Sequence, residues 1–242
     1  MMLTIKNASK HFGGITALED CSIEVEKGSI TAIIGPNGSG KSTLFNIISN
    51  TIKKNKGSIT LDNEPLHHPD FKIAKKGVAR TFQEVRLFQN LTIEEHLLIA
   101  ISQNDESLLT SLIKKEQQPK EKIREILELV QLNKPLTTYA TDLSYGQRKL
   151  LDIAIAIAKP HTLLMLDEPV AGINPALRKT IKHILKKLNT QGETILLIEH
   201  DMNFVMDLSD WVVVMDEGTV LVEGKPELIQ KNPKVLEAYL GE

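Results

Sequence analysis

The sequence predicts an α/β fold: a mostly parallel sheet, an antiparallel β part at the N-terminus and an inserted α-helical subdomain. Three observations carry this. Residues 29–48 read as a buried strand, a glycine-rich turn and a helix in succession, the unit from which sheets with covering helices are built. Residues 162–167 and 193–199 are near-continuous apolar runs, which suits parallel strands covered on both faces. From residue 91 to 132 the texture changes to capped, amphipathic segments at helical spacing. The 242 residues are expected to form one domain, 1–242, with about 90–160 as the helical subdomain within it.

Taken in order, residues 3–8 and 21–26 alternate apolar and polar like strands, and Lys27-Gly28 turns the chain into the central strand. His11-Phe12-Gly13-Gly14 falls between the first two strands and reads as a loop. After the helix at 44–48, Lys53 to Gly57 form a basic, solvated turn, and 57–61 return as a strand. His67-His68-Pro69 resembles a metal tract, but no third ligand is near in sequence, so a surface loop is expected. Residues 77–82 form a further strand ending at Gln83. Thr92 caps a helix over 93–100, with Glu95 completing a capping box. A polar stretch from 102 to 120 precedes an amphipathic helix over 121–130.

Residues 150–158 present a conflict. Their strict alternation suggests a strand, yet Ser144 with Gln147 starts a helix, Lys159-Pro160 stops one, and the alanines favour helix. A buried helix is therefore expected. Asn174 caps another helix with Pro175 in its first turn. Leu177, Ile181, Ile184, Leu185 and Leu188 form its apolar stripe, and Gly192 closes it. Residues 211–215 and 219–222 form a hairpin around Asp216-Glu217-Gly218, and 226–240 read as short helices.

Composition narrows the functional classes. A net charge of −2 and a pI near 6.4 argue against nucleic acid as the main partner. No apolar run approaches the roughly 20 residues of a membrane-spanning helix. Residues 1–6 carry no signal-peptide pattern, and the single Cys21 excludes an internal disulfide. The expected location is the cytoplasm, unless a partner holds the chain to a membrane.

The chemistry is concentrated in Gly35-Pro36-Asn37-Gly38-Ser39-Gly40-Lys41-Ser42, followed by Thr43. Glycine, four residues and then Gly-Lys-Ser is the phosphate-loop pattern. Residues without Cβ let the backbone wrap an anion and aim its N–H groups inward. Lys41 adds a point charge at the β and γ phosphates, Ser42 a hydroxyl for Mg²⁺, and the following helix its positive dipole end. These residues mark a P-loop nucleoside-triphosphate site. Asp167-Glu168 ends an apolar strand, at the edge where parallel α/β sheets hold ligands. Asp167 is suited to hold Mg²⁺ and Glu168 to polarise an attacking water. His200 ends the next strand and is placed for the γ-phosphate. Phe12, in a chain only 4% aromatic, could stack on a nucleobase.

Gly35 to Thr43, Gln83, Leu143-Ser144-Tyr145-Gly146-Gln147, Leu163 to Glu168 and His200 occur in the order and spacing of an ATP-binding cassette ATPase, and the chain resembles that family over essentially its whole length. The resemblance implies ATP and Mg²⁺ as ligands, with Phe12 stacking on adenine and Ser42, Gln83 and Asp167 at the metal. It implies Glu168 as base, His200 as switch histidine, Lys41 on the phosphates, and Gln83 as sensor of Mg²⁺ and water that links them to membrane subunits. Ser144, Tyr145, Gly146 and Gln147 resemble the signature that binds the γ-phosphate of ATP held by a second subunit. Tyr145 stands where many cassettes have glycine, and Asn174 where many have aspartate. Both departures, with Phe12-Gly13-Gly14, Arg80-Thr81-Phe82-Gln83, Ile198-Glu199-His200-Asp201-Met202 and Tyr239-Leu240-Gly241-Glu242, resemble the branched-chain amino-acid importer ATPases.

The implied partners are transmembrane permease subunits, a second ATPase (a copy of this chain or a paralogue) and a separate solute-binding protein. The implied location is peripheral, on the inner face of the cell membrane. A competing reading is a soluble cassette protein acting on ribosomes or DNA. It is disfavoured because the chain has one cassette, no long coiled-coil insertion and no basic excess.

Overall fold

The structure, a computed structural model, describes residues 1–66, 77–102 and 117–240. Two sheets share one chain. The first is antiparallel, in the order β2-β1-β4-β5, from β1 (Leu3–Phe12), β2 (Ile15–Val25), β4 (Lys56–Leu61) and β5 (Glu64–Pro65). The second has the order β10-β9-β3-β8-β7-β6. Its parallel members are β3 (Ile30–Ile34), β6 (Val78–Arg80), β7 (Leu163–Asp167), β8 (Ile195–Ile198) and β9 (Trp211–Asp216). The edge strand β10 (Thr219–Gly224) pairs antiparallel with β9. Glu217 and Gly218 in that hairpin both have positive φ, +43° and +79°, the twist-matched turn of a two-residue connection.

Pleating sorts the central strands into two cores. Ile33, Met165, Leu196, Ile198, Val213 and Met215 pack with the antiparallel sheet and with α1 (Lys41–Ile48). Their neighbours Ile34, Leu164, Leu166, Leu197 and Val214 face the remaining helices. Every second residue thus serves a different core, which is why these strands read as unbroken apolar runs.

On the second face lie α2 (Ile93–Ser102), α3 (Gln117–Leu129), α4 (Tyr145–Ala158) and α5 (Pro175–Thr190), and the first three pack on one another. Three short helices follow: α6 (Met202–Leu208), α7 (Pro226–Ile229) and α8 (Pro233–Leu240). Residues 150–158 are helical, as their caps require. Gln147 N–H donates to Ser144 Oγ (3.3 Å), and Gln147 Oε1 accepts from Ser144 N–H (3.0 Å). Thr92 and Glu95 close the same kind of box on α2, at 2.7 and 3.3 Å. Asn174 Oδ1 caps α5 by accepting from Leu177 N–H at 2.9 Å.

Some boundaries differ from expectation. β1 and β2 meet across Gly13-Gly14 and run farther than their alternation shows, because their ends are solvent-exposed and shifted in register. Phe12 therefore ends a strand instead of lying in a loop. The strand expected over 77–82 contracts to Val78–Arg80. The His67-His68-Pro69 tract, most of the polar stretch at 102–120 and the terminal Gly241-Glu242 lie outside the described residues.

Candidate functional site

The phosphate loop leaves β3, whose five residues are all buried, and enters α1. Two glycines are obligatory by geometry. A Cβ on Gly35 (φ +148°) would lie 2.0 Å from Met215 O, and one on Gly40 (φ +95°) 2.5 Å from Ala17 O. The loop is thus wedged between β9 and β2. Gly40 is the N-cap of α1 and supplies no side-chain acceptor, and the first helical turn carries no acid. The positive end of the helix is thereby left for an external anion. Lys41 is buried and folds back, its Nζ donating to Gly35 O (2.8 Å) and Pro36 O (2.7 Å). Ser42 is exposed beside it, and Pro36, Asn37, Gly38 and Ser39 line an open cleft of about 680 Å³.

A carboxylate cluster stands at the C-terminal edge of the same sheet. Glu168 follows β7 with φ +47°, a costly conformation for a residue with a side chain, held by its N–H bond to Ile198 O (3.0 Å). Its carboxylate meets two predicted site residues. Gln83 Nε2 donates to Oε2 at 3.1 Å, and His200 Nε2 lies 3.1 Å from Oε1. Gln83, Glu168 and His200, far apart in sequence, form one group here.

Asp167 is buried and engaged differently. Arg80 donates to Asp167 Oδ2 at 3.0 Å, and its other terminal nitrogen donates to Asn46 Oδ1 and Ser49 Oγ, both at 2.8 Å. Arg80 thus joins β6, β7 and the last turn of α1. Burial lowers its pKa, and Asp167 opposes that shift. Thr81 Oγ1 accepts from Asp167 N–H at 3.2 Å. Glu199, between β8 and His200, is buried, which pushes its carboxyl up to about 7. It accepts from Val170 N–H (2.8 Å) and His200 N–H (3.2 Å), and so orients the backbone that carries His200.

The signature residues form a separate unit at the start of α4. Ser144 and Gln147 cap each other, while Tyr145, half exposed, reaches Ala171 O at 3.5 Å and covers Gly172. Gly146 lets Leu177 of α5 approach, since a Cβ there would lie 2.3 Å from Leu177 Cδ2. Asn174 is accounted for by its cap, which an uncharged side chain fills as well as an acid. Phe12 is 46% exposed, with Lys10 Nζ 4.8 Å from its ring centre. It is a surface ring, not a core one.

Among the described residues no cluster of three or more His, Cys, Asp or Glu could hold a metal. A Mg²⁺ that keeps several waters needs none. Nor is any helix among them long and apolar enough to cross a membrane.

Arg80, Lys149 and Glu199 were not marked as site residues by sequence reasoning. Arg80 and Glu199 lie in segments that carry the family resemblance, but a charge at the end of an apolar strand is also how an exposed position reads, and Lys149, next to Arg148, reads as part of a polar helix start.

Comparison with known proteins adds an independent line. Residues 18–171 match the family model described as ABC transporter, and residues 219–242 match that of the branched-chain amino acid ATP-binding cassette transporter. The high-affinity branched-chain amino acid transport ATP-binding protein BraF of Pseudomonas aeruginosa is 40% identical, over 100% of this chain and 98% of its own. A solved ABC transporter cassette in its ADP conformation superposes with TM-score 0.85 at 37% identity, covering 100% of this chain and 99% of that one. A dimeric cassette in a post-hydrolysis state, bound to ADP and Pi, gives 0.82 at 26% identity, covering 93% and 99%. With a family model matching most of its length and a full-length relative at this identity, the chain belongs to the ABC transporter family of ATP-binding, ATP-hydrolysing subunits.

Proposed function

We propose that this chain is the ATPase subunit of an importer for branched-chain amino acids or similar small solutes, working as a head-to-tail pair beneath membrane permease subunits. The observation that carries the reading is the meeting of Glu168, Gln83 and His200 at the sheet edge that also ends in the phosphate loop. ATP lies with its phosphates in the loop from Gly35 to Thr43. Lys41 exchanges its bonds to the Gly35 and Pro36 carbonyls for phosphate oxygens, a short movement for an ammonium already at the loop. Ser42, Gln83 and Asp167 would hold Mg²⁺, which when bound neutralises charge on the phosphates.

Glu168 accepts a proton from water as the water oxygen bonds to the γ-phosphorus, and the bond from that phosphorus to the bridging oxygen of ADP breaks. Gln83 and His200 orient the carboxylate. The donors of Ser144 and Gly146 act on the ATP of the opposite subunit, so hydrolysis needs the pair. A groove of about 400 Å³ lined by Glu84, Val85, Leu87, Gln89, Tyr145 and Arg148 lies beside both Gln83 and the signature. It is where a permease segment would feel the site close. With permease attached, the chain sits on the inner face of the cell membrane, and a solute-binding protein delivers the cargo from outside.

The test is co-purification of permease subunits with the tagged chain, followed by reconstitution in liposomes. ATP- and Mg²⁺-dependent uptake of leucine is expected. A chain that hydrolyses ATP but associates with no membrane protein would remove the transport reading and leave the ATPase.

Phe12 offers a narrower check. Phe12→Ala should weaken ATP binding by about 1–3 kcal/mol, the range for a base stacked on an aromatic ring. Because the ring is exposed, thermal stability should stay unchanged. Isothermal titration reads the first and a melting curve the second. Unchanged affinity would clear Phe12 of contact with the base.

A further inference from the structure

Lys149 is 2% exposed, on the second turn of α4, the helix that opens with the signature residues Ser144 to Gln147. Its ammonium donates to two backbone oxygens, Gln83 O at 3.0 Å and Glu168 O at 3.0 Å. Those two residues are also joined through their side chains, at 3.1 Å. Neither carbonyl lies in a regular strand: Gln83 follows β6, and Glu168 sits just past β7 with its positive φ. Two strand ends that must present their side chains to one water are therefore clamped from behind by a single cation.

Burying an ammonium is costly unless its protons are taken up. The surroundings are chosen for it, since Asp152, Glu199, Glu168 and Asp167 all bear on it electrostatically. A methionine of similar length would fill the same space without that cost. Packing alone does not call for a charge here.

We propose that Lys149 is a positioning residue for hydrolysis, fixing the backbones of Gln83 and Glu168 to each other and to the helix that carries the signature. It touches no nucleotide and acts only through the two residues it holds. The proposal rests on the reading of Glu168 as the water-activating carboxylate. It adds that the fit of the signature helix against the opposite subunit's ATP is passed mechanically to this subunit's own carboxylate, five residues along one helix.

The experiment compares Lys149→Met, Lys149→Arg and Glu168→Gln for ATP affinity, kcat and melting temperature, in the permease complex if the isolated chain does not turn over. Lys149→Met should bind ATP normally and lose about 10²-fold in kcat, the scale of a misplaced catalytic group. Lys149→Arg, whose planar fork can still serve two carbonyls, should regain most of that loss. An unchanged kcat in Lys149→Met beside an inactive Glu168→Gln overturns the proposal and leaves the base reading standing. Normal turnover by Glu168→Gln removes the base reading, and the proposal with it. A loss of kcat matched by an equal loss of ATP affinity assigns Lys149 a structural role only. If Lys149→Met does not fold, Lys149→Gln replaces it: an uncharged amide whose nitrogen ends one atom short of the ammonium should leave kcat below that of Lys149→Arg, and equal values overturn the proposal.

Discussion

Glu168→Gln should bind ATP as tightly as the parent and hydrolyse it about 10²–10⁴-fold more slowly, the usual contribution of a positioned general base. The substitution is nearly isosteric. The amide can still meet Gln83 and His200, both now at 3.1 Å from the carboxylate, so the cluster keeps its shape. On the proposed reading, what it loses is the ability to take a proton from water, together with a negative charge beside the place proposed for the γ-phosphate. The second loss should strengthen the ATP-bound pair. By light scattering the variant is expected to dimerise with ATP and to fall apart with ADP. A dimer with ATP alone would show that two copies of this chain can complete each other's sites. A monomer with ATP demonstrably bound would point to a paralogous ATPase or to the permease as the missing partner. Normal turnover would transfer the role of base away from Glu168.

Sequence reasoning pointed to this candidate site because each of its parts sits at the end of a readable element. The phosphate loop lies between an apolar run and a helix, and Asp167-Glu168 closes another such run. Capping chemistry did the same for α4. Alternation at residues 150–158 pointed to a strand, but Ser144 with Gln147 and the following Lys159-Pro160 described a helix, and the capping box is present at both of its bonds. What pattern alone could not reach was pairing. That β4 returns to β1 instead of joining the central sheet depends on contacts between distant residues, which leave no local periodicity. The extra length of β1 and β2 was hidden for a related reason: Lys10, Phe12 and Ile15 lie toward solvent, and register shifts break the alternation. The buried cations were the hardest to read. Arg80 and Lys149 look like surface residues until their partners, 87 and 19 positions away, are brought beside them.

Arg80→Met shows what such a hidden residue is worth. Arg80 and Asp167 are both nearly inaccessible, with side-chain exposures of 8% and 7%. An ion pair in such surroundings adds little net stability while intact, because desolvation offsets its attraction. Removing one partner is different. Asp167 would be left as an uncompensated buried charge, and Asn46 Oδ1 and Ser49 Oγ would each lose a donor now at 2.8 Å. The expected cost is about 3–5 kcal/mol in unfolding free energy, read from urea denaturation in the absence of nucleotide. Methionine can occupy the space between Phe45 and Phe82, whose rings flank the guanidinium at 5.5 and 5.1 Å, so the loss should come from charge and hydrogen bonding more than from a cavity. Arg80→Met with Asp167→Asn separates the two. If the stranded carboxylate dominates, the double variant should recover a large part of the deficit, and the coupling energy from the full cycle should exceed about 1 kcal/mol. Additive losses would place the cost in Asn46 and Ser49. Arg80 would then be a brace for the last turn of α1, and Asp167 would be able to hold its charge at the sheet edge without it.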